Sequence, residues 1–332
     1  MRIMVFDVPA ESGGALTILN QYYQNAINDK DNEWIFVVST PELQDTKDVK
    51  VLKYPWVKKS WFHRLYFDNF VAPKLVRKYL TDTDEVISLQ NTIIPKVKSF
   101  QTLYVHQPLP FVDIKFGMRE NLKFWIYQNI ISNIIFRSIR KADRVIVQTK
   151  WMKESCLKKT KVTQGKIDIQ EPKVNIEVKK KYKDTNLNKK IFFYPASGQS
   201  YKNHKVIVKA TKALIEKGIN NFEVYFTISK DDNKETRDIF ALVMKYNLPI
   251  YFLGKIKLEE VYNYYSKSIL IFPSYIETFG LPLLEAKLHQ TRILASDCEF
   301  SHEILDGYDK VAFFNPMSSE NLSQCMKQVI NT

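Results

Sequence analysis

Short apolar runs alternate with longer segments of helical periodicity along almost the whole chain. A short apolar run between turn residues favours a buried strand, and apolar residues at i, i+3 and i+4 favour a helix packed on a sheet. Their alternation predicts parallel sheets with helices on both faces. In the first half, the predicted strands are residues 2–8, 34–40, 85–89, 102–107 and 144–149, and two clear helical segments are 14–29 and 120–141.

A lysine-rich stretch interrupts the alternation over residues 153–188, and a second series follows it. Its predicted strands are 190–196, 222–229, 250–254, 269–274 and 291–297, with helices at 203–217 and about 280–290. Because 332 residues exceed what one hydrophobic core usually fills, we predict two domains. The predicted fold class is α/β, with two Rossmann-like, doubly wound parallel-sheet domains at residues 1–165 and 189–332 and a crossing segment at 166–188.

The positive charge is concentrated in the middle of the chain. Residues 51–200 contain 29 Lys and Arg against 12 Asp and Glu, and the whole chain has a net charge of +13. A basic surface attracts nucleic acid, anionic lipid or phosphorylated substrates, and a solvated lysine-rich surface explains it equally well. No RNA- or DNA-binding motif accompanies the charge, so we expect no nucleic-acid partner.

Neither a disulfide framework nor a metal site is predicted. The cysteines, Cys156, Cys298 and Cys325, lie far apart without a CxxC pair, and the five histidines are scattered. Asp82 and Asp84 form an Asp-x-Asp motif, a metal-binding signature when it follows a strand. Here the two acids precede a predicted strand, so we interpret them as strand-entry residues.

The chain is expected to be a soluble protein of the reducing cytoplasm. Residues 1–8 are interpreted as a first strand instead of a signal peptide, because the apolar run is short and lacks a small-residue cleavage site. No segment offers about 18 uncharged apolar residues, the length needed to cross a bilayer.

Glycines follow several of the predicted strands, although the chain has only nine. Open α/β sheets bind ligands beyond the carboxyl ends of their strands, and glycine there lets the backbone approach a phosphate or sugar. A single glycine in such a turn has no functional meaning, but this arrangement favours a ligand-binding edge. The glycines are Gly13 and Gly14, Gly198, Gly254 and Gly280.

The stretch "ETFGLPLLE", residues 277–285, combines two acids with a strand-to-helix turn. The amides of Phe279, Gly280 and Leu281 are predicted to begin a helix, where unpaired N–H groups can bind a diphosphate. Glu277 precedes them and can accept hydrogen bonds from a polyol. Glu285 lies about two turns later and can accept from neighbouring ribose hydroxyls. Together these groups predict a nucleotide-sugar site.

The E-x7-E pattern in "SYIETFGLPLLEA" resembles the retaining glycosyltransferases of the large GT4 group, the glycosyl transferases group 1, which have the GT-B fold. The resemblance covers nearly the whole chain, since residues 194–210 and 293–305 are similar to other parts of the family's donor domain. The sequence "ESGGA" at 11–15 resembles its glycine loop. The resemblance implies two Rossmann-like domains that face a central cleft.

The resemblance also implies roles for individual residues. Glu277, Lys202 and His106 would be catalytic: Glu277 contacts the transferred sugar, Lys202 the phosphates, and His106 approaches the donor sugar from the first domain. Glu285 would bind the nucleoside ribose. The donor sugar and diphosphate would also be bound by Gly13, Gly14, Ser197, Thr278, Phe279, Gly280 and Leu281.

Two departures from the family pattern concern the donor. Ser197 stands where the family usually has an arginine, so phosphate neutralisation would depend more on Lys202, with Lys205, Lys230 or the helix amides as helpers. His289 and Gln290 replace the usual small residue and glycine after the helix.

The reaction implied by the resemblance is transfer of a hexose with retention of anomeric configuration, without metal or cofactor. The donor would be a nucleotide-diphosphate sugar, UDP- or GDP-linked, and the acceptor a glycan or a polyprenyl- or lipid-linked glycan in bacterial surface polysaccharide assembly. The location implied is the cytoplasm, in association with the inner face of the cell membrane.

Two segments mix aromatic, apolar and basic residues, 56–67 and 121–141. In the second, one predicted helical face contains Phe124, Tyr127, Ile131, Ile134 and Ile135, and for most of this face a core helix is our preferred interpretation. The functional alternative is an acceptor-side surface that rests on an anionic bilayer, where each Lys or Arg contributes about 1 kcal/mol.

Other enzyme classes fit the sequence less well. A nicotinamide-dependent dehydrogenase shares tandem Rossmann-like halves, but the GxGxxG fingerprint followed by an acid about 20 residues later is missing. A GT-B sugar phosphorylase and a nucleotide-sugar epimerase remain alternatives, although no acid–base residues for an epimerase stand out.

Overall fold

A computed structural model of the protein describes residues 1–11, 13–119, 121–174, 176–184 and 189–331. The chain divides into two compact units, unit 1 (Met1–Val174) and unit 2 (Asn175–Thr332). Each unit contains one parallel sheet with helices on both faces, so the predicted α/β fold class is confirmed for each unit taken by itself.

Unit 1 contains a seven-stranded sheet in the order β3-β2-β1-β4-β5-β6-β7. The strand order reverses between β1 and β4, and β1 pairs in parallel with both β2 and β4, as in a doubly wound sheet. Its strands are β1 (Arg2–Asp7), β2 (Glu33–Val38), β3 (Val49–Lys53), β4 (Glu85–Ser88), β5 (Phe100–Val105), β6 (Arg144–Val147) and β7 (Ile167–Ile169).

The helices of unit 1 cover the two faces of this sheet. Alternate residues of β1 contribute to two cores: Ile3 and Val5 to one, Met4 and Phe6 to the other. The helices are α1 (Gly13–Asn28), α2 (Trp61–Tyr66), α3 (Ala72–Tyr79), α4 (Leu122–Ile126), α5 (Ser132–Lys141) and α6 (Lys150–Thr160), with π-helical turns at Phe67–Val71 and Tyr127–Ile131.

Unit 2 contains a six-stranded sheet in the order β10-β9-β8-β11-β12-β13. Its strands are β8 (Lys190–Tyr194), β9 (Phe222–Phe226), β10 (Ile250–Phe252), β11 (Ile269–Phe272), β12 (Ile293–Ser296) and β13 (Val311–Phe314). The helices are α7 (His204–Glu216), α8 (Lys234–Lys245), α9 (Leu258–Tyr265), α10 (Leu281–Leu288), α11 (Glu299–Ile304) and α12 (Ser319–Ile330).

The lysine-rich region differs from its predicted description as a crossing segment. Its residues 167–169 form β7, which pairs with β6 and completes the sheet of unit 1. The division between the units falls at Val174, inside the segment 166–188. Residue 175 and residues 185–188 of that segment lie outside the described part of the chain.

Three strands and one helical face were not predicted correctly. β3, β7 and β13 were missed, because β3 and β7 carry charged residues at the edges of their sheet and β13 is four residues long. The predicted face of 121–141 is wrong at Ile134, which is exposed while Phe124 and Ile135 are buried. The π turn between them contains more residues than an α turn and therefore rotates the residues that follow it.

Candidate functional site

The loops after β8 and β11 meet where the strand order of unit 2 reverses. β8 and β11 are paired neighbours in the sheet, although two strands separate them in sequence. The loop after β8 leads to α7, and the loop after β11 leads to α10. The carboxyl end of a doubly wound sheet at such a reversal is where ligands bind, and most of the predicted site residues lie in these two loops.

Hydrogen bonds tie the two loops together. The Tyr275 amide donates to the Tyr201 carbonyl at 3.2 Å, and the Asn203 side-chain amide donates to the Pro273 carbonyl at 3.4 Å. Asn203 has a left-handed backbone (φ 60°) and donates its side-chain amide to the Pro316 carbonyl at 2.7 Å. The backbone that carries Lys202 is therefore fixed against the backbone that precedes Glu277.

Lys202 and Glu277 form an ion pair at the centre of this arrangement. Lys202 Nζ lies 2.5 Å from Glu277 Oε1, and the two side chains are only 17% and 15% exposed. Burial lowers the pKa of Lys202, but the charge of Glu277 and its hydrogen bond outweigh that effect, and the pKa is raised. The lysine is therefore a fixed positive charge, and the pair brings together two residues predicted to be catalytic.

The start of α10 presents backbone donors beside this pair. Gly280 has φ +86°, a conformation that side chains rarely adopt, and a Cβ there would lie 3.3 Å from Leu283 Cδ1. Within the described chain, the amides of Phe279, Gly280 and Leu281 donate to no protein acceptor, whereas the Leu283 amide donates to the Gly280 carbonyl at 2.9 Å. Three donors are therefore left for an anion at the positive end of the helix.

The side chains of this turn differ in how deeply they are buried. The Phe279 ring is buried, so only its backbone can contact a ligand. Thr278 and Leu281 are partly buried, with Thr278 in the loop and Leu281 as the first residue of α10. The predicted role of this stretch in diphosphate binding therefore depends on its amides.

Glu285 lies on the second turn of α10 and is held by a tyrosine. The Tyr265 hydroxyl donates to Glu285 Oε2 at 3.0 Å. Burial raises the pKa of Glu285, and the Tyr265 hydrogen bond opposes that rise. Its other oxygen accepts no hydrogen bond from the described residues, so this carboxylate can accept from a ligand hydroxyl.

The residues that depart from the family pattern have distinct positions. Ser197 is exposed in the loop after β8. His289 and Gln290 end α10, roughly 12 Å from its first residue at 1.5 Å per residue. The His289 ring is buried and its Nδ1 lies 2.8 Å from the Glu285 carbonyl. These two substitutions therefore close the helix at the end opposite the free amides.

The other lysines suggested for phosphate binding contact protein side chains. Lys205 Nζ lies 2.9 Å from Glu235 Oε2, and Lys230 Nζ lies 5.2 Å from the centre of the Phe240 ring. Lys202 differs from them in that its partner, Glu277, lies in the loop that leads into α10.

Gly198 serves packing, which differs from the predicted close approach to a ligand. A Cβ at Gly198 would lie 2.1 Å from Thr236 Cγ2, in the first turn of α8. The Asn233 side chain donates to the Gly198 carbonyl at 3.1 Å and also accepts from the Thr236 amide. The glycine therefore lets the capped start of α8 pack on the loop that carries Lys202.

In unit 1, the predicted residues follow β1 and β5. Gly13 (φ +61°) and Gly14 begin α1, and a Cβ at either position would meet nothing within 4 Å. Ser12, in the same glycine loop, lies outside the described residues. His106 follows β5 directly, its Nδ1 is buried without a partner in the described chain, and burial lowers its pKa to about 4. The imidazole is therefore neutral at neutral pH.

Sequence reasoning missed Asp7, the last residue of β1. Both carboxylate oxygens are buried without a hydrogen-bond partner among the described residues. Burial raises the pKa of Asp7 to about 8, and the charges of Arg64 and Lys58 oppose this rise with a smaller effect. The available signal was an acid at the carboxyl end of an apolar strand.

Asp82 and Asp84 have the structural role expected of them. Asp84 is buried and its carboxylate accepts from the Arg2 amide and the Thr81 amide, both at 2.8 Å. Asp82 is exposed in the turn before β4. Among the described residues, no three or more His, Cys, Asp and Glu side chains form a group that could hold a metal ion.

The family model described as "Glycosyl transferases group 1" matches residues 175–332, which is unit 2 with its candidate site. A curated relative is the O-antigen chain mannosyltransferase RfbU of Salmonella typhimurium, 23% identical over 246 residues. That alignment covers 71% of this chain and 62% of the relative, so the chain spans less than two thirds of the protein that it resembles.

Solved structures share the fold over both units. Sucrose-phosphate synthase from Thermosynechococcus elongatus superposes with a TM-score of 0.74 at 16% identity, covering 99% of this chain and 90% of that one. Alr3699/HepE of Anabaena, crystallised with UDP and glucose, gives a TM-score of 0.69 at 12% identity, covering 99% and 90%. The chain therefore has the GT-B fold.

Proposed function

Because residues 175–332 belong to the Glycosyl transferases group 1 family, we propose that this chain is a retaining glycosyltransferase that transfers a hexose from a nucleotide-diphosphate sugar. The observation that carries the proposal is the ion pair between Lys202 and Glu277, in which Nζ lies 2.5 Å from Oε1, together with the unpaired amides at the start of α10. These groups offer one cation, one carboxylate and backbone donors in two loops that are tied together.

The donor diphosphate is assigned to Lys202 and the amides of Phe279, Gly280 and Leu281. A phosphate has several acceptor oxygens, and the positive end of a helix with an adjacent lysine matches them in charge and in donors. Glu285 is assigned to the ribose, because its free oxygen can accept a hydrogen bond from a ribose hydroxyl while the Tyr265 hydroxyl donates to the other oxygen.

Glu277 is assigned to the transferred sugar. When the diphosphate binds Lys202, Glu277 loses its only ion-pair partner in the described chain and becomes free to accept hydrogen bonds from sugar hydroxyls. The residue is therefore both a counter-ion for Lys202 in the empty site and a sugar ligand in the occupied one.

In the proposed reaction, the bond between the anomeric carbon and the diphosphate oxygen breaks while the acceptor oxygen bonds to the same face of that carbon. The acceptor proton passes to the departing diphosphate. Lys202 and the helix amides stabilise the negative charge that develops there, an effect worth about 100-fold or more per donor in comparable sites. Front-face attack retains the anomeric configuration and requires no protein nucleophile.

Unit 1 is proposed to bind the acceptor, a glycan or a polyprenyl- or lipid-linked glycan of surface polysaccharide assembly. The relative's name, an O-antigen chain mannosyltransferase, supports this class of acceptor. A UDP- or GDP-linked donor is proposed, and the structure of HepE with UDP supports the first. The roles of Gly13, Gly14 and His106 toward the donor stay predictions from the family resemblance.

The proposed location is the cytoplasm, at the inner face of the membrane. Within the described residues, no helix combines the length and apolarity that crossing a bilayer requires.

The decisive test is calorimetric titration with UDP, GDP, CDP, ADP and dTDP, each with and without Mg²⁺. Micromolar binding of one nucleotide that is unaffected by Mg²⁺ and lost in Glu285→Ala would support the site and identify the base. Absence of binding by all five would overturn the donor assignment.

A further inference from the structure

The helix α2 and the π turn after it leave a row of large apolar side chains exposed. The row occupies one side of the helix, whereas Phe67 on another side is fully buried in the core. The exposed fractions are 60% for Trp61, 83% for Phe62, 50% for Leu65, 55% for Tyr66 and 54% for Phe70. We call these five residues the aromatic surface.

The aromatic surface is ordered by contacts within unit 1. The Tyr66 and Phe70 rings stack with their centres 5.5 Å apart. The centres of the Tyr66 and Trp56 rings lie 6.3 Å apart. On a different side of the helix, Arg64 forms an ion pair with Asp68, one turn later, and Arg64 Nε lies 2.6 Å from Asp68 Oδ2. The side chains are therefore presented on a defined helix, with no protein partner covering them among the described residues.

The surroundings of the aromatic surface are basic. Residues 56–78 contain six Lys and Arg and one Asp, and Lys96 Nζ lies 5.9 Å from the centre of the Phe70 ring. Five clustered large apolar groups on a soluble domain are unusual and mark an interaction site. Trp and Tyr with flanking Lys and Arg are the composition that suits a membrane–water interface.

A second set of exposed apolar side chains lies in the helical segment 122–141 of unit 1. Leu122, Ile130 and Ile134 are about half exposed along α4, its π turn and α5. These residues add apolar surface to unit 1 beyond that of α2.

The position of the aromatic surface relates it to the carboxyl edge of the sheet. Lys58, in the turn that leads into α2, donates to the Pro9 carbonyl at 2.8 Å and pairs with Glu11 at 2.9 Å. Pro9 and Glu11 follow β1, in the loop before Gly13. The aromatic surface thus begins beside the carboxyl edge of the sheet of unit 1, the unit that is proposed to bind the acceptor.

We propose that the aromatic surface inserts into the interfacial region of an anionic bilayer and holds unit 1 at the membrane. Charge complementarity favours this occupant, because flanking cations attract anionic lipid headgroups while the aromatic side chains enter the acyl boundary. The inference deepens the proposed function and rests on it only for the lipid-linked nature of the acceptor.

The test is flotation with vesicles of phosphatidylcholine alone and of phosphatidylcholine with 30% phosphatidylglycerol. Wild-type protein is expected to float with the anionic vesicles and to be released by high salt. Phe62→Ser combined with Tyr66→Ser is expected to lower the partition coefficient by about tenfold or more, since each aromatic contributes at least that order when buried.

The matched control is Met244→Ser combined with Leu258→Ser, which removes two side chains of similar exposure, 65% and 56%, from unit 2. This variant should float as the wild type does, and both variants should keep the wild-type melting temperature. Equal flotation of the two double variants would overturn the proposal.

Two further readouts separate other outcomes. If sedimentation without vesicles shows a wild-type dimer that Phe62→Ser with Tyr66→Ser makes monomeric, the aromatic surface binds a second copy and the proposal fails. Nucleotide titration of the same variant should match wild type. Membrane binding without any nucleotide binding would leave this inference standing and refute the proposed function.

Discussion

The Lys202–Glu277 pair makes an unusual prediction for Glu277→Gln: the nucleotide should bind more tightly while sugar transfer becomes slower. In the empty site, Glu277 neutralises Lys202 across 2.5 Å in a largely buried position. A nucleotide diphosphate must therefore compete with this carboxylate for the lysine. Glutamine keeps the shape and the hydrogen-bonding capacity of the side chain and removes the competing charge.

The magnitude follows from the geometry. A phosphate oxygen on the far side of Lys202 Nζ would lie about 6 Å from Glu277, where two unit charges at an effective dielectric constant of ~20 repel by about 3 kcal/mol. Reorganisation of the unpaired lysine in the empty variant adds in the same direction. We expect the Kd of the preferred nucleoside diphosphate to fall by about 10- to 100-fold.

The assay is titration calorimetry of Glu277→Gln and Lys202→Met, followed by initial rates of transfer. Lys202→Met should weaken nucleotide binding, and both variants should lose transfer activity by about 100-fold. If Glu277→Gln weakened nucleotide binding as Lys202→Met does, the pair would be a structural element of the loop and the competition argument would be refuted. Thermal unfolding of both variants separates this outcome from misfolding.

Three other predictions concern single positions. Tyr265→Phe should weaken nucleotide binding less than Glu285→Ala does, because it removes one hydrogen bond to the carboxylate and keeps the carboxylate itself; calorimetry with the same nucleotide measures both. The pKa of Asp7 is raised from 3.8 to about 8, so the folded chain retains a proton that the unfolded chain has lost between these values, and stability falls as pH rises through that window. Asp7→Asn should flatten this decline and stabilise unit 1 at pH 7 by on the order of 4 kcal/mol. Denaturant unfolding of variant and wild type at pH 5 and pH 8 measures the effect. If the difference in unfolding free energy were the same at both pH values, the prediction would be wrong. Gly198→Ala should destabilise unit 2 by about 1–3 kcal/mol through its clash with Thr236, whereas Gly165→Ala, which has open space for a Cβ, should leave the melting temperature unchanged.

The strands that sequence periodicity predicts well are those buried on both faces. β1, β2, β8 and β11 are continuous apolar runs, because helices cover both sides of a parallel sheet. β3 and β7 lie at the two edges of the first sheet and carry charged residues, so their runs resemble loops. The π turns inside the helices of unit 1 have no periodic signal, which is why Ile134 was assigned to the wrong side.

The candidate site was predictable to the extent that it depends on backbone. The turn after β11 followed from Gly280 and from the strand-to-helix change around it, and the free amides are a consequence of that turn. The partners of Lys202 and Glu285 were not predictable, because Glu277 and Tyr265 come close only through the pairing of β8 with β11 and the packing of α9 on α10. Asp7 was missed because its significance is its burial, which periodicity does not measure for a polar residue.

The hydrogen bonds of Asn203 have a consequence for re-engineering the candidate site. Its side chain links the turn after Lys202 to carbonyls of Pro273 and Pro316, so segments that are 70 and 113 positions away share one anchor. A loop exchanged from another enzyme would transplant its lysine without the carbonyls that hold it in place. Changing the proposed donor preference should therefore require exchanging the loops after β8, β11 and β13 as one cassette, and single-loop chimaeras should keep their fold and lose the alignment of Lys202 with Glu277.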